Sequence, residues 1–140
     1  MTICLDASVV LKLLIFESGS EEAVEWLGTH EGELIAPTFL FAEVASVLQR
    51  KVRMGDVTVE ERKDALEALE SIRIRPIWEP SLIRRAITLA DEIGQPTIYD
   101  TIYLAVAESE QCALLTADER FARAASRKYP RVRLLPATDL

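Results

Sequence analysis

Cysteine is scarce in this sequence, with Cys4 and Cys112 the two in 140 residues, both inside apolar runs. That excludes a small secreted domain stapled by disulfides and points to buried thiols in a reducing cytoplasm. The one histidine, His30, is expected at the surface in the Thr29–Gly32 loop, and no His/Cys set suits zinc. Five glycines are present, none in GxGxxG or GxxxxGK[ST] spacing, so a Gly-rich phosphate cradle is excluded. A GxSxG nucleophile elbow and a convincing Cys/His pair are lacking as well. Long apolar runs are missing: Ser8 to Phe16 is broken by Lys12 and is too short to span a bilayer. Asp6 interrupts the N-terminal apolar stretch, so no signal peptide is expected. Positive charge is the minority sign, 16 Lys+Arg against 23 Asp+Glu, for a net −7 and a pI near 4.8. Bulk non-specific nucleic-acid binding needs the opposite balance.

What is present suffices for a folded core. Hydrophobic residues make up 49% of the chain and charged residues 28%, which excludes a disordered chain. The length predicts a single domain over residues 1–140. Charge is uneven: residues 119–140 hold six Arg and Lys against Glu119 and Asp139, a net +4, leaving −11 for the first 118. Arg50-Lys51-Arg53 forms a second basic cluster. A local cationic surface beside an acidic one is therefore expected.

Hydrophobic periodicity predicts short strands alternating with longer helices. Strands are expected at Thr2–Leu5, Glu33–Ala36, Ile72–Ile77 (an edge strand), Cys112–Thr116 and Val132–Leu135. Helices are expected over Ala7–Phe16, Glu21–Thr29, Thr38–Met54, Thr58–Ser71, Ser81–Ile93, Tyr99–Gln111 and Asp118–Lys128. Thr58-Val59-Glu60-Glu61 has the capping-box pattern. The alternation predicts an α/β fold, a three-layer α/β/α sandwich around a mostly parallel central sheet.

In open parallel sheets, ligands gather at the carboxyl ends of the strands. Asp6 closes the first predicted strand, and Asp118 lies two residues past Thr116. Each also suits a helix N-cap, an ordinary structural use. Glu43 and Asp100 are harder to explain that way. Glu43 interrupts Phe39-Leu40-Phe41-Ala42 and Val44-Ala45, while Asp100 has Tyr103, Leu104 and Ala107 on its helical face. No Lys or Arg lies within one turn of either acid. Acids bordering a core need a partner. Four of them converging would repel, and a hard divalent cation, Mg²⁺ or Mn²⁺, offsets that repulsion. Such a cation activates water for in-line attack on phosphorus.

These segments resemble a known family. Ile3-Cys4-Leu5-Asp6-Ala7-Ser8 is similar to the opening strand and first acid of PIN-domain ribonucleases. Phe41-Ala42-Glu43-Val44 resembles the family's helical glutamate, and Tyr99-Asp100-Thr101-Ile102-Tyr103-Leu104-Ala105-Val106-Ala107 its third-acid helix. Leu114-Leu115-Thr116-Ala117-Asp118-Glu119-Arg120-Phe121 resembles the fourth-acid segment. The four acids follow in the family's order at intervals of 37, 57 and 18 residues. The compact VapC-like toxins of toxin–antitoxin pairs are the members of this size.

The resemblance implies an Mg²⁺- or Mn²⁺-dependent endoribonuclease in the cytoplasm, held in check by a cognate antitoxin. It makes Asp6, Glu43, Asp100 and Asp118 the catalytic and metal-binding acids, with Ser8 and Thr116 as supporting hydroxyls. A homodimer is expected and a membrane partner is not. Arg50, Lys51, Arg53, Arg120, Arg123 and Arg127 are the candidate contacts to the RNA backbone. The alternatives are a PIN-like RNA-processing nuclease outside a toxin–antitoxin system, or a phosphoaspartyl phosphatase or receiver. A dehalogenase-type phosphatase wants an acid two residues after Asp6, where Ser8 stands.

Overall fold

A computed structural model describes residues 1–136. Five strands form one sheet: β1 (Ile3–Leu5), β2 (Leu34–Pro37), β3 (Ile74–Ile77), β4 (Ala113–Thr116) and β5 (Val132–Leu134). Their order is β3-β2-β1-β4-β5, and every pairing is parallel. The expected mostly parallel sheet is thus wholly parallel among the described residues. β1 lies at the centre, with Cys4 in register with Ile35 on one side and Leu114 on the other. Ile3, Cys4 and Leu5 are fully buried, as continuous apolar strands in covered parallel sheets are. β3 is an edge strand, and it accommodates Pro76 there because an edge tolerates a missing N–H.

Seven helices join the strands: α1 (Ala7–Leu14), α2 (Ser20–Thr29), α3 (Phe39–Arg53), α4 (Val59–Ser71), α5 (Pro80–Ile93), α6 (Tyr99–Ser109) and α7 (Glu119–Ala125). α1 packs against α2, α3 and α4, whereas α5 packs along α6, which in turn rests on β1, β2 and β4. The sandwich has the three expected layers. Residues 101–107 of α6 are all buried, so this helix is central rather than amphipathic.

Several element ends shift by one to three residues, β3 beginning at Ile74 rather than Ile72 and α6 ending at Ser109 rather than Gln111 among them. α1 ends at Leu14 rather than Phe16: Lys12 Nζ donates to the Ser18 carbonyl at 2.6 Å, and Ser20 Oγ donates to the Ile15 carbonyl at 3.0 Å. These bonds fold the chain into a turn and leave Phe16 exposed. α7 stops at Ala125 rather than Lys128, because the chain turns back at Tyr129, whose carbonyl accepts the Val132 N–H at 3.0 Å, to enter β5. His30 is half-buried rather than a surface residue. Its ring stacks on Trp26, one turn earlier, with centroids 4.8 Å apart, and its Nε2 is buried with no hydrogen-bond partner among the described residues. Asp139, counted in the basic C-terminal segment, lies outside the described residues.

Candidate active site

The strand order reverses at β1: the chain steps outward through β2 and β3, then returns to place β4 on the other side of β1. That switch point is the crevice where open α/β sheets bind ligands. Asp6 leaves the carboxyl end of β1 there, and Thr116 closes β4 beside it.

Asp6 occupies the N-cap position of α1 but makes no capping bond with its side chain. Its Oδ2 instead accepts Ser8 Oγ at 2.5 Å and Thr116 Oγ1 at 2.9 Å. Each hydroxyl accepts a backbone N–H in turn, Ser8 from Ala117 at 2.9 Å and Thr116 from Asp118 at 3.0 Å. Both hydroxyl protons are committed to Asp6, so the 3.3 Å contact between the two hydroxyls has no proton of its own. This network ties the end of β1 to the end of β4 and fixes the Asp6 carboxylate, which is 4% exposed. Burial raises the Asp6 pKa, the bonds from Ser8 and Thr116 oppose that, and Asp118 adds to it.

Asp118 does cap a helix. Its Oδ1 accepts the N–H groups of Arg120 at 3.0 Å and Phe121 at 3.1 Å. Glu43 sits half-buried in the second turn of α3, where Tyr103 Oη donates to its Oε1 at 2.5 Å. Burial raises the Glu43 pKa, and the negative charge of Asp6 pushes the same way. Asp100, in the first turn of α6, has no hydrogen bond among the described residues. Burial and then the charges of Asp6, Asp118 and Glu43 push its pKa up to about 7. The structure therefore brings all four acids within electrostatic reach at one crevice, and Ser8 and Thr116 with them.

Tyr103 is the group beside these acids that the sequence concealed. Its side chain is fully buried, and burial together with the bond to Glu43 holds its hydroxyl protonated. A buried tyrosine needs a partner for its hydroxyl. Of the basic candidates, Arg120 is two residues from Asp118 and exposed, with Arg123 and Arg127 exposed beyond it. Arg50 and Arg53 are exposed at the other end of α3, roughly 10–15 Å along the helix from Glu43. Lys51 is half-buried, 3.9 Å from Glu17. The two basic groups thus sit on separate elements, one of them adjoining the acids.

The donor set is all carboxylate oxygen, which suits a hard cation and no soft one. Among the described residues no three or more His, Cys, Asp or Glu side chains stand close enough together to hold one metal ion between them. Asp6, Glu43 and Asp118 are each held by their own protein donors. Mg²⁺ fits such a site because it is held through one or two carboxylates and retains several waters.

A model of the PIN domain matches residues 3–127. Ribonuclease VapC3 of Mycobacterium tuberculosis is 34% identical over 122 residues, covering 87% of this chain and 86% of that protein. Among solved structures, a toxin–antitoxin complex from Klebsiella pneumoniae aligns with a TM-score of 0.67 at 19% identity, covering 94% of this chain and 95% of that one. The M. tuberculosis toxin VapC20, described as cleaving the sarcin–ricin loop, gives 0.69 at 15% identity, over 88% and 95% of the two chains. At these identities the two structures establish likeness of fold.

Proposed function

The chain belongs to the PIN-domain family, and from that premise we propose that it is a divalent-metal-dependent endoribonuclease, the toxin of a toxin–antitoxin pair. The observation that carries this reading is the gathering of Asp6, Glu43, Asp100 and Asp118 at the sheet's switch point, where burial and the other three acids push the Asp100 carboxyl up. Such a cluster is unfavourable for folding alone and fits a site built for a cation.

Asp6, Asp100, Asp118 and Glu43 would hold Mg²⁺ or Mn²⁺. When bound, the ion supplies an activated water and offsets charge developing on the phosphate. The chain's own groups have separate tasks. Ser8 and Thr116 keep the Asp6 carboxylate in one orientation. Tyr103 fixes the Glu43 carboxylate by donating to Oε1, which leaves Oε2 for a water. Arg120 and Arg123, on α7, carry the positive charge that draws the RNA backbone toward the acids.

The relative's name, ribonuclease, and the toxin–antitoxin complex among the similar folds support RNA as substrate and a cognate antitoxin as partner. A homodimer acting in the cytoplasm belongs to the same reading. No helix among the described residues is long and apolar enough to cross a membrane. Asp6→Asn and Asp100→Asn are each expected to reduce cleavage of single-stranded RNA by at least 10²-fold, with unchanged circular dichroism. EDTA is expected to do the same to the parent protein. Undiminished cleavage in either variant, or cleavage indifferent to EDTA, defeats the assignment.

A further inference from the structure

Beside the acids, at the start of the same two helices, lies a feature that metal chemistry does not use. Phe39 opens α3 one turn before Glu43, and Tyr99 opens α6 immediately before Asp100. Their rings stack with centroids 5.3 Å apart and planes 16° from parallel. Together with Trp78, Ile83 and Ile98 they line an open, mainly apolar concavity of about 360 Å³. Two of its aromatics are largely in solvent, Tyr99 at 56% exposure and Trp78 at 55%. Only nine aromatic residues occur in the chain, and three of them meet here.

We propose that this aromatic platform stacks an unpaired nucleobase of the substrate, one or two nucleotides from the phosphate held at the acids. This inference rests on the ribonuclease reading and deepens it. Three observations favour a base over a protein side chain. The platform is continuous with the site, because the two stacked residues adjoin Glu43 and Asp100 on the same helices. It also begins within about one helical turn, roughly 5 Å of rise, of the acids, which is within reach of the nucleotide that carries the phosphate. Its chemistry is also that of base recognition: exposed π faces with few polar groups accept any base by stacking, and an unstacked base presents a matching face. The acids repel a phosphate when no cation is present, so an uncharged anchor beside them lets RNA dock without adding to that repulsion.

The test separates stacking from cleavage. A short single-stranded RNA carrying one 2-aminopurine at successive positions is titrated with the protein in EDTA, where no cleavage occurs. At one or two positions the wild-type protein is expected to quench the fluorophore, and Tyr99→Leu and Trp78→Leu to abolish the quenching. Both variants are expected to weaken binding about tenfold, the loss of a single stacking contact, and Tyr99→Phe to restore it. With Mg²⁺ present, Tyr99→Leu is expected to raise KM with kcat within about twofold. An RNA made abasic at the quenched position is expected to bind wild type and Tyr99→Leu equally. The proposal is overturned by no quenching at any position, or by equal loss on intact and abasic RNA. It is also overturned if the variants bind RNA normally but lose self-association or an antitoxin, which would assign the surface to protein. Quenching by a wild-type protein that never cleaves RNA would uphold the platform and reject the nuclease reading.

Discussion

Oδ1 of Asp118 accepts two N–H groups at the start of α7, yet the same carboxylate raises the pKa of Asp100 across the crevice. One side chain thus serves local folding and the charge of the site, and two substitutions separate these uses. Asn caps a helix as well as Asp does, so Asp118→Asn is expected to melt within a degree or two of wild type while losing cleavage. Asp118→Ala removes the cap as well and is expected to lose about 1 kcal/mol of stability in addition. Thermal melts beside RNA-cleavage assays check both; an active Asp118→Asn would reduce this residue to a cap. Asp6 shows the contrast. It stands at an N-cap position, but its side chain turns away to Ser8 and Thr116. From sequence alone the two aspartates were equivalent, because each precedes a helix. Only the pairing of β1 with β4, more than 100 residues apart, shows which one caps and which one is held by hydroxyls.

The helices vary in how far local chemistry determines them. α4 carries its own instructions: the Glu61 N–H donates to Thr58 Oγ1 at 3.0 Å, and the Thr58 N–H donates to Glu61 Oε1 at 3.1 Å. This capping box was legible from four residues. Thr58→Ala is expected to destabilise the protein by about 1 kcal/mol, seen as a fall of a few degrees in Tm. Cleavage is expected to be unaffected, since α4 contributes nothing to the crevice; impaired cleavage by a folded Thr58→Ala would contradict that separation. The ends of α1 and α7 were not legible in the same way. Their last turns retain helix-compatible residues, and what stops them is the return path of the chain, set by Lys12 reaching Ser18 and by the entry into β5. The Tyr103–Glu43 bond joins residues 60 apart on different helices, so no periodicity within either one could indicate it.

At the scale of the whole molecule, the net charge of −7 understates how the acids are arranged. Most are solvated, but Asp6, Glu43 and Asp100 are held in surroundings that raise their pKa, with burial the leading cause in each. The sign of the consequence follows from linkage. A carboxyl whose folded pKa exceeds its unfolded value contributes stability below the unfolded pKa and loses it as pH rises through the folded one. For Asp100 that window runs from the ordinary 3.8 up to about 7. The carboxylates shifted the other way, Glu33, Glu92 and Glu108, are lowered by Arg75, Tyr129 and Arg85 respectively, so the stability they contribute is present above their ordinary 4.5 and is lost only as pH falls below it. The cation-free protein is therefore expected to melt at lower temperature at pH 8 than at pH 5. Asp100→Asn is expected to remove part of that slope, about 1–2 kcal/mol once solvent screening of a half-buried group is allowed for. A bound cation reverses the preference, because it favours the ionised carboxylates. Mg²⁺ or Mn²⁺ at 100 times its dissociation constant is expected to add about 2.7 kcal/mol, raising Tm by several degrees at pH 8. The gain is expected to be much smaller at pH 5, where the ion must displace the Asp100 proton, and absent in Asp6→Asn. Scanning calorimetry at both pH values, with and without the ion, measures all of these at once. A Tm that rises from pH 5 to pH 8 without metal, or an equal response to Mg²⁺ in wild type and Asp6→Asn, would mean that the four acids are not the cation site.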